Sequence, residues 1–388
     1  MIDFLQKAWD LQQDMAAFRE DIHAHPEIGN QERRTADKIR NALNALDIEV
    51  IPVLDTGTIG VLQGEEPGGA VAFRSDIDAL PIQEETGLPY ASCRPGLMHA
   101  CGHDMHIASL LGAASILAAG RNRLKGRAVF IFQPDEEGDG GAQRILDTGV
   151  LDQLGVTAVY GAHVEPTLPV GTIGVRYGSF YANACVFDVV IKGRGCHAAE
   201  PEKGTDVVFA AAQMVESLKE LNTDWIDGQR CVCSVGSFHA GTVRNILPEE
   251  AEFHGILRCT TKAMREDKMI KIRERLTAIA DKNKVRAELT IRRGYPGIVN
   301  HDKDVRLVEK TAVGLLGKDH VIEEAAGTMT TEDFGFYLEK YQGAYYHVGI
   351  SSPYPLHSPH MVPDEKALTY AAAVHAAVME AALEGDNQ

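Results

Sequence analysis

At 388 residues, 45% of them hydrophobic, the chain has material for more than one core, and two domains are the natural expectation. A formal net charge of -17 argues against a nucleic-acid partner, because phosphate binding needs clustered Lys and Arg. Seven Cys at irregular spacing form no disulfide framework, and no segment is long and apolar enough to cross a bilayer, so the protein is read as cytoplasmic with no membrane partner.

Apolar positions at helical spacing predict a helix over residues 5 to 24 and a second from Glu32 to Leu46. Between them, His23-Ala24-His25-Pro26-Glu27 carries a Pro that stops the helix, and its two imidazoles read as local packing at a helix end. Short strands follow: Glu49 to Val53, Thr58 to Gln63, and Val71 to Phe73, the last running into Arg74-Ser75-Asp76-Ile77-Asp78. That puts two acids just past a buried strand, where open α/β sheets gather their ligand sites.

The stretch Met98 to His106 is the densest in reactive side chains, with His99, Cys101, His103, Asp104 and His106. Two positions apart, Cys101 and His103 cannot share one helix face and are expected to converge from a turn, a sulfur and nitrogen pairing that zinc and its neighbours accept. Ile107 to Ala119 then reads as a helix, which Asp104 could cap, or from which it could orient a ligand His. The strand Arg127 to Phe132 ends in Gln133-Pro134 and the acids Asp135-Glu136-Glu137, and the strand Val156 to Tyr160 ends near His163. Three strand ends thus bring Asp76 and Asp78, Glu136 and Glu137, and His163 to one expected rim beside Cys101 and His103.

From about Ala184 the order becomes strand, helix, strand, strand, helix, strand, ending at Arg293, as in a ferredoxin-like split unit. Residues 184–293 are therefore read as an inserted α+β domain within a first domain formed by 1–183 and 294–388. Cys231 and Cys233 share one face of a strand there. In the last part, the strand Ala344 to Val348, the segment Leu356-His357-Ser358-Pro359-His360 and a helix from Glu365 to Leu383 complete the first domain.

The ordered landmarks Arg74-Ser75-Asp76-Ile77-Asp78-Ala79-Leu80-Pro81, His99-Ala100-Cys101-Gly102-His103-Asp104, Glu136-Glu137-Gly138, Gly193-Arg194-Gly195-Cys196-His197, Asn245-Ile246-Leu247-Pro248 and Leu356-His357-Ser358-Pro359 resemble those of the M20 metallopeptidase family. Within it they look most like the amidohydrolase subfamily of hippurate hydrolases, N-acyl-amino-acid deacetylases and auxin-conjugate hydrolases. The resemblance implies an α/β catalytic domain with a mixed central sheet flanked by helices, and an inserted lid and dimerisation domain. It implies two divalent metal ions (Zn, Mn, Co or Ni) held by Cys101, His103, Glu137, His163 and His357, with His360 the rival to His357, and Asp104 in support. Glu136 is implied as general base, Asp78 and His197 as further catalytic residues, and Asn245 and Arg258 as holders of the substrate carboxylate. Ordinary alternatives are a strand-ending role for His197 and a surface salt bridge for Arg258.

The implied reaction is hydrolysis of an N-acyl amino acid by a homodimer, with a tetramer as the alternative assembly. A dipeptidase is the alternative, and a metal-holding protein without turnover a third reading. The chain departs from the family pattern at Asp135, Cys196 and Glu202, where many relatives carry a small residue, Gly and His; an extra acid at 135 is expected to raise the pKa of Glu136 or disfavour acidic substrates.

Overall fold

The computed structural model describes residues 3–385. Two compact units emerge: the second comprises Ser179–Val299 and Ala326–Gly335, and the first the remaining described residues. The segment 326–335 was expected with the first domain. Its backbone instead pairs with the opening of the second unit, through Thr328 N–H to the Phe180 carbonyl (2.7 Å) and Ala182 N–H to the Thr330 carbonyl (3.1 Å).

The first unit is built on an eight-stranded mixed sheet, in the order Glu49–Val53, Gly57–Gln63, Lys125–Gln133, Glu66–Asp76, Val156–Glu165, Tyr345–Gly349, Ile173–Val175, Val321–Glu323. Its centre is parallel: Glu66–Asp76 lies between Lys125–Gln133 and Val156–Glu165, and Tyr345–Gly349 continues alongside in the same direction. Strands covered on both faces need near-continuous apolar runs, and Ala128–Phe132 and Val159–Val164 are such runs, almost wholly buried. The helices His103–Ala119 and Ala367–Gly385 are apolar on every side because they pack against each other and against these strands. The helix expected over residues 5 to 24 is divided at Leu11 into Phe4–Asp10 and Gln12–Ala24. Because the central strands run parallel, their carboxyl ends open on one edge, which is how Asp76, Glu136 and Glu137, and His163 reach a common place.

The second unit holds a five-stranded antiparallel sheet in the order Thr223–Ile226, Gln229–Ala240, Glu250–Cys259, Asn183–Lys192, Arg286–Arg293. Numbered along the chain, the four long strands lie 4-1-3-2, the ferredoxin-like arrangement. The helices Val207–Lys219 and Lys262–Asn283 contribute Met214, Leu218, Ile272 and Leu276 to the core beneath Phe187, Val189 and Phe253. Thr223–Ile226 makes a fifth strand, pairing antiparallel with Gln229–Ala240 as its hairpin partner.

Candidate metal centre

Gly102 sets up the first side of the site. It stands before the helix His103–Ala119 at φ +81, and a Cβ there would meet Val164 Cγ2 at 2.6 Å, so only glycine fits both the conformation and the space. This turn lets Cys101 and His103, one before the helix and one at its first residue, face the same point. The other donors come from the sheet edge: His163 from Val156–Glu165, Glu137 from the loop after Lys125–Gln133, and His357 from the loop after Tyr345–Gly349. The His357 N–H donates to the Ala100 carbonyl (2.9 Å) and the residue sits at φ +63, an uncommon conformation for a non-glycine.

Cys101 Sγ lies 3.4 Å from His163 Nε2 and 3.3 Å from His357 Nε2. Glu137 Oε1 lies 3.1 Å from His357 Nε2 and 4.0 Å from His103 Nε2. Donor atoms of Cys101, His103 and His163 form one compact group and those of Cys101, Glu137 and His357 another, so the thiol belongs to both. The second ring nitrogens are tied down: His103 Nδ1 donates to the Asp78 carbonyl (2.9 Å), and His163 Nδ1 to the Val164 carbonyl (2.8 Å). Both rings therefore present Nε2 inward, the arrangement found around metals. His103 Nε2 is buried without a hydrogen bond. Together with the donor set of one thiol, three imidazoles and a carboxylate, this fits a first-row divalent cation such as zinc.

The electrostatics point the same way. Burial would lower the His103 pKa, but Asp76, Asp78 and Glu137 outweigh it and raise it to about 10. Burial, with His106 adding to it, holds His163 well below the ordinary histidine range, leaving a neutral ring. Burial and the Glu137 and Glu136 charges push the Cys101 thiol up. The raised His103 value reflects the surrounding carboxylates, which favour added positive charge, while the lowered His163 value reflects burial and leaves a lone pair on its inward Nε2.

Around the donors, Asp78 Oδ2 accepts the Glu137 N–H (3.0 Å), so Asp78 orients both His103 and the acid loop. Glu136 is buried, with a carboxylate oxygen within 4.8 Å of donor atoms of His103 and Glu137. His106 donates from Nδ1 to Asp76 (2.6 Å) and accepts the Val164 N–H on Nε2 (3.0 Å), so both its nitrogens are used outside the donor group. His360 turns to the Glu85 carbonyl (3.1 Å). Asp104 does not touch His103; its Oδ2 accepts from Arg19 Nε (2.7 Å) and His23 Nδ1 (2.9 Å), locking the helix start to the helix Gln12–Ala24. His23 also meets Glu84 (3.2 Å), so it is a bridge in a buried polar network, which local sequence could not show.

Asp135 adopts φ +61 and directs its carboxylate to Asn30 Nδ2 (2.7 Å). In the second unit, His197 pairs in register with Ile246, next to Asn245. Both His197 and Asn245 are exposed, and His197 Nδ1 accepts the Ala199 N–H (3.1 Å). Arg258 Nη1 donates to the Cys185 and Leu257 carbonyls, both at 3.2 Å.

Residues 72–381 match the model of peptidase family M20/M25/M40. The chain belongs to this family. Among its relatives, an N-acetylcysteine deacetylase of Bacillus subtilis (strain 168) is 39% identical over 369 residues, covering 94% of this chain and 96% of its own length. An N-acetyldiaminopimelate deacetylase of Streptococcus uberis is 36% identical, covering 92% and 96%. The crystal structure of a Bacillus subtilis M20 protein, described as a dinuclear metal binding peptidase, superposes with a TM-score of 0.87 at 37% identity, covering 97% of this chain and 99% of that one. In this M20 protein, the mixed sheet with its helices is thus the family fold.

Proposed function

We propose that this M20 enzyme is a metal-dependent amidohydrolase that cleaves the amide bond of N-acyl amino acids to a carboxylic acid and a free amino acid. The carrying observation is the sharing of Cys101 between two donor groups, with the buried Glu136 beside the donor Glu137. Cys101, His103, Glu137, His163 and His357 would hold a pair of divalent ions. Such a pair, when bound, polarises the substrate carbonyl and acidifies the attacking water. Glu136 takes the proton from that water and returns it to the departing nitrogen. Asp78 keeps His103 Nε2 turned inward and holds the Glu137 amide, so that the two neighbouring carboxylates keep different tasks.

His197 is proposed to meet the substrate carbonyl. With Nδ1 accepting from Ala199, its proton stands on Nε2, free to donate to an oxygen. Arg258 is proposed for the substrate carboxylate, with Asn245. The names of the two deacetylases favour acetyl as the acyl group. A thiolate ligand favours zinc, cobalt or nickel over the harder cations, with manganese supported by the carboxylates. That ligand also needs a reducing compartment, which supports a cytoplasmic location. The second unit is proposed as lid and dimerisation module, supported by its exposed Phe209, Val243 and Ile246; light scattering giving a monomer at micromolar concentration would count against the dimer.

Glu136→Gln tests the mechanism. It is expected to lower kcat on N-acetyl amino acids by about 10²- to 10⁴-fold with metal content unchanged. Near wild-type turnover would overturn the assignment.

A further inference from the structure

The loop that carries Glu136 and Glu137 is held at two backbone amides by two buried carboxylates, and only one of them, Asp78, has been given a role. The other is Glu32, wholly buried just ahead of the helix Arg33–Ala45. Its Oε2 accepts from Thr56 Oγ1 (2.7 Å), and its Oε1 accepts the Asp135 N–H (3.0 Å), 103 positions along the chain. Asp135 is the residue whose backbone takes the left-handed turn that redirects the chain into Glu136.

The turn is built around that residue. Asp135 Oδ2 accepts from Asn30 (2.7 Å) and Arg144 (3.4 Å), and Arg144 also donates to Asn30 Oδ1 (2.7 Å). Gly29 and Gly138 leave the room: a Cβ on either would come within 2.0 and 2.3 Å of Asp135 Oδ1. A further bond joins Gly140 N–H to the Asp135 carbonyl (3.1 Å). Burying a carboxylate is costly, and for Glu32 the return is two hydrogen bonds, one of which fixes this turn. The extra acid at 135 is therefore committed to Asn30 and Arg144.

We propose that Glu32 is a positioning residue for the acid pair: by holding the Asp135 amide opposite Asp78's hold on the Glu137 amide, it sets the turn that aims Glu137 at the metal donors and Glu136 at the reacting water. This rests on the roles proposed above for Glu136 and Glu137. Glu32 acts on Glu137 through the backbone of the turn two residues ahead of it, so it contributes through preorganisation, and its loss is read in metal affinity and turnover together.

The test compares Glu32→Ala and Glu32→Gln in the full-length protein. Metal affinity is measured by chelator competition with added zinc, and kcat and KM with an N-acetyl amino acid. Glu32→Ala is expected to weaken zinc binding and lower kcat by about 10- to 100-fold each, the range for an outer-shell partner, with KM little changed. Glu32→Gln, which keeps an acceptor for the Asp135 amide, is expected to restore both to near wild type. Ile39→Ala, in the core of the same helix, serves as a destabilised control that keeps both values.

Wild-type affinity and kcat in Glu32→Ala, or equal losses in Ile39→Ala, would overturn the proposal. Should Glu32→Ala not fold, Glu32→Asp carries the test, since its shorter arm withdraws from the Asp135 amide: the same losses support the proposal and wild-type values overturn it. Zinc competition involves no turnover, so a failure of the hydrolytic reading, seen with Glu136→Gln, is distinguishable from a failure here.

Discussion

Arg19 Nε donates to Asp104 Oδ2 at 2.7 Å, and neither side chain is exposed to solvent. Burial opposes the Asp104 charge, but Arg19 and His23 outweigh it and hold the carboxyl well below its usual range. Arg19→Met leaves that charge buried with less compensation and is expected to destabilise the protein by about 3–5 kcal/mol in denaturant unfolding. Pairing it with Asp104→Leu should cost less than the sum of the two single changes. Strict additivity would show that the pair is not coupled.

Gly102→Ala should damage both fold and site. The φ of +81 and the 2.6 Å approach to Val164 act separately, so adding Val164→Ala relieves only the second. The backbone part alone is expected to cost about 1–3 kcal/mol, with weaker zinc binding in chelator competition. A variant of unchanged melting temperature and affinity would refute the account of this turn.

The shared thiol makes a stoichiometric prediction. Because Cys101 belongs to both donor groups and His357 to one, Cys101→Ala should remove both ions, whereas His357→Ala should leave one. Elemental analysis of desalted protein decides, and equal losses from the two variants would contradict a bridging Cys101.

Burial, reinforced by the His106 charge, lowers the His375 pKa to about 3 from an ordinary 6.5, and its Nδ1 lies 2.6 Å from the Tyr346 hydroxyl. The native ring stays neutral where the unfolded one charges, so the unfolded state binds more protons between these values. Its stabilising contribution is full above 6.5 and is lost as pH falls towards 3, with a limiting slope of about 1.4 kcal/mol per pH unit. His375→Gln, which keeps an acceptor for Tyr346, should flatten the loss between pH 7 and 5 in urea unfolding. An unchanged slope would remove His375 from the account.

What the sequence made legible followed from burial and strand direction. Buried runs such as Ala128–Phe132 announce themselves, and once three such strands are parallel, the residues after them must share an edge. Ile173–Val175 and Val321–Glu323 are too short to show any period. The Thr223–Ile226 strand was missed because its pairing depends on the hairpin that returns through Gln229. Asp104 read as a cap or an orienting acid because its partner Arg19 stands 85 positions away, and no local pattern encodes that contact. Glu32 and Asn30 were silent for the same reason. The motif around Cys101 and His103 was legible because its chemistry is local, while Asp78's hold on the Glu137 amide had to be seen.

Cys101 and His357 lie 256 positions apart. At synthesis rates of about 5–20 residues per second, the ribosome takes roughly 10 to 50 s to travel between them. Once His163 has been added, 62 positions after Cys101, the nascent chain carries a thiol and two imidazoles, from Cys101, His103 and His163, while His357 has yet to be made and the second unit is still being extruded. On the proposed ligand set, the ion held with His357 can load only after translation has passed that residue, whereas the group of Cys101, His103 and His163 is complete well before it.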